Sequence, residues 1–141
     1  MEIVIIEQKI MKKRVTGIGG IFFKCDNREA MRTWYDKHLG IPTESWGGQF
    51  EWRDKDEPEK RCVTAWSPFD KKSDYFGPSN KEYMFNYRVE NLIELIETLR
   101  KEGVQIVGEI EEFEYGKFGW IMDPEGRKIE LWEPNDAPFL S

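Results

Sequence analysis

Met84-Phe85-Asn86-Tyr87-Arg88-Val89-Glu90-Asn91 leads into a helical pattern that stops at Glu102-Gly103-Val104, and the chain has already made a similar statement upstream. There, Gly20-Ile21-Phe22-Phe23-Lys24-Cys25-Asp26-Asn27 leads into a helical pattern that stops at Leu39-Gly40-Ile41. Each copy then closes on a matching strand, Val63-Thr64-Ala65-Trp66-Ser67-Pro68 in the first and Ile129-Glu130-Leu131-Trp132-Glu133-Pro134 in the second. Two units are too few for a solenoid, which needs at least three stacked repeats. The repeat therefore describes one domain built from two pseudo-symmetric halves, expected over 15–135 with the repeats at 15–67 and 82–134. Residues 1–14 read as an N-terminal extension and 136–141 as a C-terminal tail.

Periodicity fills in each half. Asn27 is the expected cap of the first helix, Met31, Trp34, Tyr35 and Leu39 its buried stripe, and Gly40 its left-handed end. Asn91 and Glu94 have capping-box spacing, followed by a stripe of Leu92, Leu95, Ile96 and Leu99 that ends at Gly103. After the first helix, Thr43–Trp46, Gln49–Asp54 and Arg61–Ser67 read as strands, with Gly47-Gly48 as a hairpin turn. After the second, the strands are Gln105–Glu114, Gly116–Asp123 and Lys128–Glu133, with the turn at Asp123-Pro124-Glu125-Gly126. Each half thus reads β-α-β-β-β, and 68–81 links them.

Alternation along the matched strands separates two faces. Ile21, Phe23, Val63, Ala65, Phe85, Tyr87, Ile129 and Leu131 form an apolar set that belongs under the helices. Gly20, Phe22, Thr64, Trp66, Met84, Asn86, Arg88, Glu130 and Trp132 form the other. That second set mixes bulky apolar groups with polar ones, as the wall of a ligand cup does and a merely wetted face does not.

Composition narrows the partners. A net charge of -6 argues against nucleic acid, which asks for a basic face. Cys25 and Cys62 make no disulfide framework and fit a reducing cytoplasm. No stretch approaches the roughly 20 apolar residues of a membrane-spanning helix.

Two β-α-β-β-β copies, with Trp34-Tyr35 and Leu39-Gly40 closing the first helix and Asp123-Pro124-Glu125-Gly126-Arg127-Lys128-Ile129-Glu130-Leu131 near the end, resemble the vicinal oxygen chelate superfamily. That group includes glyoxalase I, bleomycin-resistance proteins and extradiol dioxygenases. The resemblance implies an α+β fold: one curved, eight-stranded mixed sheet around a cup, helices outside, and a homodimer. It also implies a divalent-metal site at the first and last strand of each half, which here falls on Gly20, Thr64, Met84 and Glu130. Only Glu130 of these is a hard-oxygen ligand, so no cofactor is expected and a divalent metal is the alternative. The single histidine, His38, falls in the last turn of the outer first helix.

The expected function is metal-independent binding of a small amphipathic or aromatic molecule in the cup, with Phe22, Trp66, Met84, Asn86, Arg88, Tyr115 and Trp132 around it. Glu130 either holds a cationic group, pairs with Arg88 or acts as a general base. Arg88 has the alternative of meeting a ligand carboxylate. The rival reading is a glyoxalase I- or dioxygenase-type enzyme that uses Glu130 as base or metal ligand, and a third is an interaction module with an incidental cup. Phe50, Trp52, Phe118 and Trp120 fit either the cup wall or a dimer seam. Glu111, Glu112 and Glu114, beside Tyr115, fit either the mouth of the cup or a solvated edge.

Overall fold

The computed structural model describes residues 14–140, so all of the 1–14 extension except Arg14 lies outside the described residues. The first half contributes β1 (Val15–Cys25), α1 (Arg28–Leu39), β2 (Gly48–Arg53) and β3 (Arg61–Asp70). The second contributes β4 (Tyr83–Val89), α2 (Leu92–Lys101), β5 (Ile106–Phe113), β6 (Gly116–Met122) and β7 (Lys128–Pro134), followed by a 3-10 turn at Ala137–Phe139. The strands form one sheet in the order β2-β3-β1-β4-β7-β6-β5. At its centre β1 and β4 run antiparallel, and each is flanked by a parallel partner, β3 and β7 respectively. The repeat is therefore visible in the topology, with β1, β2 and β3 answered by β4, β6 and β7.

The answer is incomplete: among the described residues the sheet has seven strands and not the expected eight. Thr43–Trp46, the expected counterpart of β5 in the first half, instead closes on itself, with Glu44 and Gly47 exchanging backbone hydrogen bonds of 2.7 and 3.0 Å. Its carbonyls are taken from the side by α1, where Arg28 donates to Ser45 and Arg32 to Glu44. A strand needs those carbonyls for a neighbouring ladder, so the segment turns where it was expected to extend.

The two helices pack unequally. In α1, Asn27 accepts the Ala30 N–H and Gly40, at φ 69, ends the helix as expected. The expected stripe is not buried, however: Trp34 is 49 % and Leu39 61 % exposed. Tyr35 makes the main contact, edge-on to the Trp66 ring at 4.8 Å. By contrast, α2 buries Leu92, Leu95 and Ile96 against Val89 and Leu131. Full burial of each such side chain contributes roughly 1.5–3 kcal/mol. Its start is not a capping box: Asn91 sits in the left-handed region and makes no side-chain cap bond. Glu133, reaching over from β7, accepts the Leu92 N–H at 2.8 Å and places a carboxylate at the positive end of the helix.

Register decides the faces. Asn86 lies opposite Glu130 and Arg88 opposite Trp132, so the alternation read along β4 and β7 matches the sheet. On β3 it slips by one residue. Gly20 lies opposite Ala65 and Ile21 opposite Trp66, which turns Trp66 toward α1 and Ala65 toward the concave side.

Candidate functional site

One row of paired residues crosses the middle of the concave face: Gln49, Ala65, Gly20, Asn86, Glu130 and Trp120. Toward the sheet centre the first-half members, Ala65 and Gly20, are small. The second-half end is polar and bulky. Above it opens a cavity of about 600 Å³, bounded by the sheet, the linker between the halves and the 3-10 turn. Among the described residues, ten lining side chains are aromatic, so the walls favour a flat or apolar guest.

Glu130 is the centre of the polar end, and it is only 3 % exposed. Its Oε1 accepts the Asn86 amide at 2.6 Å, and its Oε2 accepts the Trp120 indole N–H at 2.9 Å. The Tyr75 hydroxyl also donates to Oε2. Burial pushes the Glu130 pKa up, and these three donors and the Lys128 charge offset that only in part. Burial and the Glu130 carboxylate push the Tyr75 phenol far up as well, so Tyr75 remains a neutral donor. The Lys128 ammonium donates to the Tyr75 carbonyl at 2.7 Å and lies 5.1 Å from the Tyr75 ring centre, holding the linker in place behind the site. Burial lowers the Lys128 pKa.

The aromatic wall is tied together by its own contacts. Phe118 stacks on Trp132 with ring centres 5.9 Å apart, and the Trp132 indole donates to the Tyr115 carbonyl at 2.8 Å. Phe139, from the expected tail, packs edge-on to Trp132, Tyr115 and Trp46. On the opposite side Phe69 lies between Phe22 and Tyr75.

The cavity thus brings together Phe22, Asn86, Tyr115, Glu130 and Trp132 of the expected site. Three expected members lie elsewhere. Trp66 faces α1 and touches Phe23 and Tyr35, because of the register slip on β3. Met84 is buried behind Phe22 in a cluster with Phe76. Arg88 does not pair with Glu130. It forms a bidentate pair with Asp136 at 2.7 and 2.6 Å, sandwiched between the Trp52 and Trp132 rings, and also donates to the Val63 carbonyl. Of the four aromatics left open, Phe118 and Trp120 line the cavity, whereas Trp52 packs on Arg88 and Phe50 is 47 % exposed. His38 sits on α1 with its ring 5.0 Å from that of Trp34 and lines no part of the cavity.

Sequence reasoning missed Tyr75 and Phe139 and placed Ala65 on the wrong face; the cavity also takes in Ser67, Phe69 and Glu111. The one local signal for Tyr75 was the aromatic pair Tyr75-Phe76 inside an otherwise polar, Gly- and Pro-containing linker. For Asp136 and Phe139 there was none.

The divalent-metal set of the superfamily does not fit these residues. Among the described residues no group of three or more His, Cys, Asp or Glu is placed to hold an ion. Of the four expected positions, Gly20 has no side chain, the Thr64 hydroxyl donates to the Ile18 carbonyl and receives the Trp52 N–H, and Met84 is packed away. Glu130 has already committed its oxygens to three donors.

No family model matches the chain, and no curated protein matches it in sequence. Solved structures do match in shape. A methylmalonyl-CoA epimerase variant from Streptomyces coelicolor, in complex with 2-nitronate-propionyl-CoA, has a TM-score of 0.64 at 13% identity, over 85% of this chain and 98% of that one. Methylmalonyl-CoA epimerase from Mycobacterium tuberculosis has a TM-score of 0.56 at 20% identity, over 92% and 95%. A chain described as an NAD-dependent benzaldehyde dehydrogenase from Legionella pneumophila has a TM-score of 0.55 at 11% identity, over 82% and 98%. The pseudo-twofold sheet, the concave cavity and these likenesses agree on one conclusion: the chain has the vicinal oxygen chelate, or glyoxalase-like, fold.

Proposed function

We propose that this protein binds a small amphipathic or aromatic molecule in the concave cavity, without a divalent metal and as a homodimer. The observation that carries the reading is the pairing of an aromatic-walled space with a single buried carboxylate that protein donors already satisfy. Such a floor is organised to receive a guest without an ion to mediate it. The test is a titration with neutral acridine followed by tryptophan fluorescence, with and without chelator, on the natural chain and on Ala65→Trp. The expected result is saturable, chelator-insensitive binding of one molecule per chain that Ala65→Trp abolishes by filling the cavity. Equal binding by the filled variant would sink the proposal.

A second reading is an enzyme in which Glu130 moves a proton or holds a metal. It is supported by the likeness in fold to methylmalonyl-CoA epimerase and by the upward shift of the Glu130 pKa, a property of general bases. Native mass spectrometry of protein purified without chelator separates the metal-holding form of this reading from the first. One divalent ion per chain would put the enzyme first.

A further inference from the structure

Resting on the cavity reading above, we infer that the ligand is an organic cation: a positively charged nitrogen on an aromatic or apolar body, with its charged end toward Glu130. The lining carries two charged groups among the described residues, Glu130 and Glu111, and no Lys, Arg or His. Of the nearby cations, the Arg88 guanidinium is paired with Asp136, and the Lys128 ammonium, whose charge also reaches Glu130, donates to the Tyr75 carbonyl and lies outside the lining. Most donors near the floor are engaged: Tyr75 and Trp120 give theirs to Glu130, as does one Asn86 N–H, Trp132 gives its N–H to the Tyr115 carbonyl, and Ser67 gives its hydroxyl to the Trp46 carbonyl. The Tyr115 hydroxyl and the Trp46 indole belong to the aromatic wall and not to the floor. The Asn86 Oδ1 beside Gly19 is an acceptor buried without a partner, on a residue that is 2 % exposed. A lining with two carboxyl groups and no basic side chain, set among the negative faces of aromatic rings, favours a cation over a carboxylate or phosphate.

A matched series of planar tricycles tests this: protonated aminoacridine, neutral acridine and acridine carboxylate, titrated at neutral pH. The expected order is cation, then neutral, then anion, with the cation favoured over acridine by roughly tenfold. Glu130→Gln is expected to erase that preference, read as the ratio of aminoacridine to acridine affinity in the same variant, and Glu111→Gln to reduce it without touching the floor. Equal affinities across the series, or a preference for the carboxylate, would overturn the cation assignment while leaving the cavity reading intact. Failure of all three to bind would overturn both.

Discussion

The two halves began from one plan and have been put to opposite uses. Where the second half sets Asn86 beside Glu130, the first sets Gly20 beside Ala65 at the matching place in its own parallel pair. The second half supplies the polar floor and the first supplies the vacancy above it. Packing follows the same division. Helix α2 is anchored by three buried apolar residues, and α1 buries none completely. A duplicated unit can therefore hold stability in one copy and free the other to make room for a ligand.

Four experiments break or sharpen this contrast. The largest effect is expected at Arg88, which belongs to the second half yet bonds the Val63 carbonyl of the first and the carboxylate of Asp136. Arg88→Ala leaves a buried carboxylate without its partner and should cost about 3–5 kcal/mol in urea unfolding. A loss below about 1 kcal/mol would show that the pair does not join the halves. Next, Leu92→Ala on α2 should cost about 2–5 kcal/mol and Trp34→Ala on α1 about 0.5 kcal/mol or less. Equal costs would erase the difference between the helices.

The third concerns Glu130, whose pKa is raised on folding. In the window between its ordinary and its raised value the folded chain binds more protons than the unfolded one. Stability should therefore be greatest below the ordinary value and fall as pH rises through the raised one, with a slope of at most about 1.4 kcal/mol per pH unit. Glu130→Gln should flatten that stretch of the stability profile, and an unchanged profile would assign the slope to another group. The last experiment is Tyr75→Phe, which removes one donor to Glu130 and should cost about 1 kcal/mol, most visibly at high pH where the carboxylate is ionised.

How much of this was legible depended on how clearly each strand alternates. In β4 and β7, apolar Phe85, Tyr87, Ile129 and Leu131 alternate with Asn86, Arg88 and Glu130, and the concave placement of Asn86 and Glu130 followed directly. In β3, Cys62 and Trp66 are as apolar as Val63 and Ala65, so period two offered no choice of face and Trp66 was assigned to the wrong one. The eighth strand failed for a different reason: two arginines on α1 compete for its carbonyls, a tertiary effect outside any local window. The partner of Arg88 lies 48 residues away in the segment after β7, where nothing in the local pattern distinguishes a buried aspartate from a solvated one.

That same segment has a practical side. Gln49 donates to the Phe139 carbonyl at 2.9 Å, and Phe139 forms part of the cavity wall, so the last few described residues are both a clasp on the sheet and a surface for the guest. Proteolysis just beyond Pro134 would remove Asp136 and Phe139 together. Because a guest that touches Phe139 must slow that cut, resistance of this segment to a protease is a label-free gauge of occupancy, usable before the natural ligand is known.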